Sequence, residues 1–322
     1  MRVAIVSPNP LNDSGGVERF CHTLRGVLAD QGAQAEVVGL RDLGLLNYDL
    51  AITNGMIGRP VDRPRIHVFH GCWVEHVRRG YRGSDTSLQW RTRFLAQGAA
   101  KEIRAGRRAY RVAVSQRTAQ EVTRWYRFPV HQVINNGVDT RTFAVGDRRA
   151  ARLALGIPGE AKLALFVGRP EVRKRPDVAA AAAAGAGYEL LLAGSGSIDG
   201  ARGLGVLTPD VLSLWIQAVD CVLAPSEYEG CSLAILEAFA VGTPVVASRV
   251  GWIPTLLDNV PEYRELTAPA GDIGLFTAAL KALPDRLDAA ATASAFVRRE
   301  NSLDAFARHW AGAVGKVLSH RE

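Results

Sequence analysis

The stretch Pro225-Ser226-Glu227-Tyr228-Glu229-Gly230-Cys231-Ser232-Leu233-Ala234-Ile235-Leu236-Glu237-Ala238 decides the fold. Ahead of it, Cys221 to Ala224 is a short apolar run, the pattern of a buried parallel strand. Ser232 to Val241 is apolar nearly all round, the pattern of a buried helix. A glycine-containing turn joins the two. The first N–H groups of such a helix, here near Cys231, Ser232 and Leu233, have no intrahelical partners, and the helix dipole adds partial positive charge beside them. That is a ready anion site. Glu229 stands just before the helix, and Glu237 lies six residues beyond Cys231, about 9 Å along the axis at 1.5 Å per residue. A diphosphate at the helix start would have a carboxylate on each side, one for a sugar and one for a ribose. Glu237 is the only charged residue between Gly230 and Ser248, so a carboxylate buried there needs partners.

The same alternation runs outward in both directions. Before residue 140, strands are expected at Val3 to Ser7, Ala35 to Leu40, Leu50 to Thr53, Ile66 to His70, Val112 to Ser115 and Val133 to Ile134. Helical patterns lie between them, at Val17 to Ala29, Leu88 to Arg108 and Gln116 to Tyr126. After residue 160, strands are expected at Leu163 to Val167, Glu189 to Ala193, Val206-Leu207, Cys221 to Ala224 and Val245 to Ala247. Strands alternating with helices make parallel sheets in βαβ units. The reading is an α/β chain of two facing Rossmann-like domains, residues 1–140 and 141–302, with an interdomain cleft. The polar stretch Asp139 to Arg152 reads as the linker. An amphipathic helix over 303–318 is expected to pack back on the first domain. Ligands of open α/β sheets bind outside the carboxyl ends of the strands, so loops after strands matter most.

Length and composition agree with two cores. The chain has 322 residues, 48% hydrophobic and 22% charged, which excludes collagen, coiled coil and wholesale disorder. No apolar run is long enough for a membrane span, and the first apolar run is too short for a secretory leader. Cys21, Cys72, Cys221 and Cys231 lie far apart with no Cys-x-x-Cys pair, which argues against a zinc site and a disulfide framework. These features read as a reduced, cytoplasmic protein. Of the net charge of +7, residues 1–140 hold +8, and 59–127 alone hold 16 Lys+Arg against 5 Asp+Glu. This is either a solvated face or a basic surface that meets an acidic acceptor or the anionic inner face of the plasma membrane. No nucleic-acid partner is expected, because no recognition helix, zinc finger or interleaved aromatic pattern accompanies the charge.

With Glu229 and Glu237 spaced as Glu-x7-Glu, the chain resembles the retaining nucleotide-sugar glycosyltransferases of glycosyltransferase family 4, which have the GT-B fold. Further matches follow in order: Gly15-Gly16-Val17-Glu18, Asn136-Gly137-Val138-Asp139 with Phe143, Gly168-Arg169 followed by Lys174, Gly194-Ser195-Gly196, and Gly242-Thr243-Pro244. The resemblance implies that Glu229 binds hydroxyls of the transferred sugar and Glu237 those of the ribose. It gives the diphosphate to the Gly230, Cys231, Ser232 and Leu233 backbone and to Arg169 and Lys174. Gly205, Val206 and Leu207 would meet the base, Gly15 and Gly16 would close on the phosphates or admit the acceptor, and His70 would be the family's histidine beside the sugar. The family departs from this chain at Arg175-Pro176, where Gly usually follows the Lys, and at Trp252 and Thr255, residues that would reshape a pocket.

The expected activity is metal-independent transfer of a hexosyl group from a UDP-sugar, or a GDP-sugar, to a glycan, a lipid-linked acceptor or a small-molecule acceptor of secondary metabolism. No cofactor is expected. No Asp-x-Asp occurs, so Arg169 and Lys174 would neutralise the leaving diphosphate in place of a metal. The competing readings are a GT-B sugar-nucleotide epimerase and a non-catalytic sugar-nucleotide binder. A dinucleotide-dependent dehydrogenase fails, because no G-x-G-x-x-G opens a helix after the first strand.

Overall fold

A computed structural model describes residues 1–11, 15–44, 47–57, 63–80 and 88–319. The basic segment 59–127 therefore includes stretches, 59–62 and 81–87, outside the described residues. The chain divides into two compact units, Met1–Gly137 with the segment from Leu303 onward, and Val138–Ser302.

The first unit runs β1 (Arg2–Val6), α1 (Gly16–Asp30), β2 (Gln34–Val38), β3 (Leu50–Asn54), β4 (Arg65–Phe69), α2 (Trp73–Gly80), α3 (Leu88–Gly106), β5 (Tyr110–Ala113), α4 (Gln116–Tyr126) and β6 (Gln132–Val133). All pairings are parallel, in the order β2-β1-β3-β4-β5-β6. β3 and β4 are buried along their whole length, as expected of strands covered on both faces. The order reverses at β1, which places the loops after β1 and β3 at the sheet's switch point.

The second unit runs α5 (Arg148–Ala154), β7 (Leu163–Val167), α6 (Pro176–Ala186), β8 (Glu189–Ala193), β9 (Ala201–Gly205), α7 (Pro209–Ala218), β10 (Cys221–Ala224), α8 (Leu233–Val241), β11 (Val245–Ser248), α9 (Ile253–Asn259), β12 (Thr267–Ala268), α10 (Ile273–Ala282) and α11 (Leu287–Glu300). Its sheet is also parallel, ordered β12-β11-β10-β7-β8-β9. Here the reversal falls between β10 and β7, so the loops leaving those two strands face one crevice.

The last helix, α12 (Leu303–Ser319), returns to the first unit. Its Phe306 and Trp310 pack on Phe20 of α1, at ring separations of 5.9 and 6.0 Å, and Gln31 caps the contact through the Ala307 carbonyl. Where the chain passes between units, Val138 N–H donates to the Asn301 carbonyl at 2.8 Å, so the outgoing and returning segments are tied together.

Three local expectations are corrected. Asp139 to Arg152 is not all linker: Asp147 caps α5 by accepting from the Arg149 and Ala150 N–H groups. Arg152 is buried, donating to the carbonyls of Ala218, Pro158, Gly159 and Ala161 and pairing with Asp220. The third strand in sequence of this unit is not Val206-Leu207 but Ala201–Gly205, and Val206 and Leu207 follow it as a loop. Trp252, read as reshaping a pocket, packs as a core residue. It is buried in the core beside Phe239 and Phe296.

A buried carboxylate holds the segment after β4. Glu102 of α3 accepts from the Trp73 N–H at 2.8 Å and from the Tyr126 hydroxyl. Burial pushes its pKa up to about 7, against the lowering effect of those two bonds. The folded chain thus holds a proton that the unfolded chain releases near pH 4.5, so this contribution is full below that pH and is lost as pH rises to about 7. Glu102→Gln should flatten that dependence, gaining on the parent by up to roughly 3 kcal/mol between pH 5 and 8, at about 1.4 kcal/mol per pKa unit. Denaturant titrations at the two pH values measure it; parallel curves for parent and variant would refute the assignment.

Candidate functional site

In the second unit, the loops leaving β7 and β10 meet at the crevice the strand order predicts. The first loop carries Gly168, Arg169, Pro170 and Glu171, then a 3-10 turn, Val172–Lys174, then Arg175, which opens α6. The second carries Pro225 to Ser232 and ends as the N-cap of α8. Glu227 N–H donates to the Arg173 carbonyl at 2.7 Å, joining the two loops main chain to main chain.

Glu229 is turned inward, with its side chain 17% exposed. Its Oε1 lies 3.2 Å from Arg173 Nη1 and 3.1 Å from Ser226 Oγ. Burial alone would raise its pKa, but Arg173, Lys174 and the Ser226 hydroxyl outweigh burial and hold it below the ordinary carboxylate range. The group is therefore ionised at neutral pH and can only accept hydrogen bonds, which suits sugar hydroxyls. Lys174 Nζ reaches the Val167 carbonyl at 3.4 Å and lies against Gly168. Arg169 is the most exposed of the set, with its side chain 70% exposed and 3.5 Å from Glu171.

The helix start has the form an anion site needs. Ser232 makes no side-chain cap bond to the first turn of α8, and the first backbone bond back to it comes from Leu236 N–H. Gly230 and Cys231 are buried beside it, and Glu237 is buried on the same helix. Gly251, just after β11, fixes this loop from behind. Its φ is +58°, and a Cβ there would stand 2.6 Å from the Gly230 carbonyl oxygen and 2.7 Å from that of Glu229. Those neighbours are backbone and cannot swing away. Gly251→Ala should therefore cost roughly 2 kcal/mol, and should lower activity more than the stability loss explains, because Glu229 moves with its backbone. Parallel thermal melts and activity assays check this; a variant with unchanged activity would remove Gly251 from the site's support.

Gly205, Val206 and Leu207 leave the edge strand β9 beside the Gly194 turn: Gly194 N–H donates to the Gly205 carbonyl at 2.8 Å. The register slips between Leu192 and Ala193 so that Ala193 pairs with Gly205, and Val206 is exposed. The second unit thus sets Arg169 and Lys174 on the β7 loop, with Lys174 acting on Glu229, and places Glu229, Gly230, Cys231, Ser232, Leu233 and Glu237 on the β10 loop and α8, with the 205–207 loop on the β9 edge. Gly15, Gly16 and His70 belong to the first unit.

There, Gly15 is the N-cap of α1 in ordinary extended backbone, and a Cβ on Gly16 would meet nothing within 4 Å. His70 follows β4, and its ring packs edge-on to Phe20 at 4.6 Å. Its Nε2 lies 2.9 Å from Asn54 Oδ1. The other side of Asn54 sets the amide's orientation, because Nδ2 donates to the Val6 carbonyl at 2.9 Å and lies 3.3 Å from Cys21 Sγ. A carbonyl only accepts, so Oδ1 must face the histidine and Nε2 must carry the hydrogen. Burial lowers the ring's pKa to about 4. At neutral pH the ring is uncharged and Nδ1 is a hydrogen-bond acceptor.

Two ion pairs beside these residues were not read from the sequence. Arg173 pairs with Glu229, and Arg175 pairs with Glu227 at 2.5 Å while also gripping Asp177. Arg175 takes the left-handed conformation, φ +51°, that glycine takes more readily, and its two acidic partners offset that strain. Among the described residues, no three His, Cys, Asp or Glu side chains cluster as metal ligands, and all four cysteines are buried thiols.

Comparison with known proteins bears on the fold and on residues 161–285. Residues 161–285 match the family model described as glycosyl transferases group 1. The chain is 35% identical over 205 residues to a D-inositol 3-phosphate glycosyltransferase 2 of Catenulispora acidiphila, covering 54% of this chain and 47% of that protein. It is 37% identical over 147 residues to a D-inositol 3-phosphate glycosyltransferase of Mycobacterium avium, covering 38% and 34%. The matches thus span about half the length of these curated relatives or less. Among solved structures, it superposes on sucrose-phosphate synthase from Thermosynechococcus elongatus with a TM-score of 0.84, at 18% identity over 99% of both chains. It superposes on HepE of Anabaena, solved with UDP-glucose, with a TM-score of 0.74, at 17% identity over 98% of this chain and 100% of that one. Residues 161–285 are a group 1 glycosyltransferase domain, carried in a chain whose two parallel sheets are the Rossmann-like pair of the GT-B fold.

Proposed function

We propose that the protein is a metal-independent, retaining hexosyltransferase that uses a nucleotide-diphosphate sugar, UDP-linked in preference to GDP-linked. The observation that carries this reading is the ionised, inward-turned Glu229 beside Lys174, one loop before the open N-terminus of α8. The solved relative holding UDP-glucose supports the choice of base.

In this reading the α8 amides, Lys174 and Arg169 hold the diphosphate, Glu229 takes hydroxyls of the sugar, and Glu237 takes those of the ribose. As the anomeric C–O bond to the β-phosphate breaks, negative charge grows on the leaving diphosphate and the sugar becomes oxocarbenium-like. Fixed cations and N–H donors stabilise that charge more in the transition state than in the ground state. The acceptor hydroxyl attacks from the same face, its oxygen bonding to the anomeric carbon while its proton passes to the departing phosphate oxygen. His70, neutral with Nδ1 as acceptor, takes a hydroxyl rather than a phosphate. The acceptor is a glycan, a lipid-linked sugar or a small molecule of secondary metabolism.

A thermal-shift panel of UDP-, GDP- and ADP-sugars tests the donor. A donor at 100 times its Kd should stabilise the fold by about 2.7 kcal/mol. Product NMR then reads the anomeric configuration, and an inverted product or the absence of any stabilising sugar nucleotide would overturn the reading. The basic surface of the first unit, where Arg78 and Arg124 lie over the Trp125 ring at 4.8 and 5.4 Å, supports peripheral contact with anionic membrane. Cosedimentation with anionic but not neutral vesicles is the expected result, and equal recovery from both would remove that contact. No described helix is long and apolar enough to cross a membrane.

A further inference from the structure

We propose that Arg173 is a positioning residue for the Glu229 carboxylate, selecting which of its oxygens meets the sugar of the bound donor. This rests on the reading of Glu229 as the sugar-hydroxyl acceptor.

Two donors converge on one oxygen. Arg173 Nη1 and Ser226 Oγ both go to Glu229 Oε1, at 3.2 and 3.1 Å. A carboxylate oxygen offers two lone pairs, so these bonds fill Oε1 and leave Oε2 for a ligand hydroxyl. Arg173 is itself held from several sides. Its Nε donates to Glu171 Oε2 at 3.0 Å, Nη1 also approaches the Tyr228 carbonyl at 3.4 Å, and its own carbonyl accepts from Glu227 N–H. Three acceptors around one planar guanidinium is a geometry that only arginine meets.

Neighbouring residues divide the work. Arg173 and Arg175 reach the second loop, at Glu229 and Glu227, while Lys174 between them reaches back to the Val167 carbonyl. Two carboxylates compensate the Arg173 charge, and burial opposes but does not cancel their hold on it. Little of its charge is left for a diphosphate. Its loss should therefore be felt at the sugar end of the donor and not at the phosphate end.

The test is titration calorimetry of the full chain with UDP, UDP-glucose, GDP and GDP-mannose, on the parent, Arg173→Gln and Ser226→Ala. For whichever nucleotide the parent binds, Arg173→Gln should weaken the sugar nucleotide about 10- to 30-fold, the loss of one charge-assisted hydrogen bond. The bare nucleoside diphosphate should change by less than about twofold, a selectivity that a merely loosened fold would not give. Ser226→Ala should weaken the same ligand in the same sense, by a smaller factor. Equal losses for sugar nucleotide and nucleoside diphosphate would make Arg173 a phosphate ligand and overturn the proposal, as would an unchanged affinity for both. If Arg173→Gln does not fold by its thermal melt, Ser226→Ala decides alone: a selective loss supports the proposal and no selective loss overturns it. A parent that binds none of the four overturns the reading of the site itself, and the role of Arg173 with it.

Discussion

Glu229→Gln is expected to cut sugar transfer by about 10²- to 10³-fold, the range seen when one fixed polar group of a charge-stabilising site is removed. The amide keeps the size of the carboxylate but loses its charge and one acceptor. Arg173 keeps Glu171 as a partner, so no lone buried cation is created. The melting temperature should therefore stay within about 5 °C of the parent. Initial rates at saturating donor, with melts in parallel, measure both. Transfer at the parent rate would show that the sugar is not read by this carboxylate, and the second unit would then be a scaffold for chemistry placed elsewhere.

The largest effect on stability is expected at Trp310. The ring is fully buried, against Phe306 at 6.0 Å and Phe20 at 6.0 Å, and Phe20 in turn supports the His70 ring. Trp310→Ala leaves a cavity between α1 and α12 and should cost about 3–5 kcal/mol. Trp310→Phe should recover more than half of that. Denaturant melts decide it, and a loss under about 1 kcal/mol for the alanine variant would mean that α12 is not integral to the first unit's core. Because Phe20 touches His70, the alanine variant should also lose activity under conditions where it remains folded.

Of the two residues, Glu229 can be read from the sequence, for physical reasons, whereas Trp310 is seen only in the fold. Glu229 stands out because charge is scarce between Gly230 and Ser248 and because a strand, a turn and an apolar helix leave little choice of geometry. The parallel sheets were legible because runs such as Leu163 to Val167 and Leu50 to Thr53 are apolar without interruption. Ala201–Gly205 was not, because Arg202, Gly203 and Gly205 have poor strand preferences and an edge strand needs no apolar run. Arg148–Ala154 was hidden by its charges, although Asp147 before it and Gly156 after it are cap signals that local periodicity alone does not weigh. Arg173 was invisible for a different reason. In a sequence with many arginines, only the fold of the turn shows that residues 173 and 175 pair with the second loop while 174 also reaches the Val167 carbonyl. Likewise, the hydrogen on His70 is set by Asn54 and Val6, which are distant in sequence and meet only at the switch point of the sheet.

The return of α12 to the first unit has a bearing on biosynthesis. Translation proceeds from the amino end, so every residue of the Val138–Ser302 unit leaves the ribosome before Phe306 and Trp310 do. The later half can collapse around its own sheet while the earlier half still waits with Phe20 uncovered. Nascent chains stalled short of residue 303 should therefore expose apolar surface near the amino terminus and attract chaperones there, and release of the final helix should end that dependence.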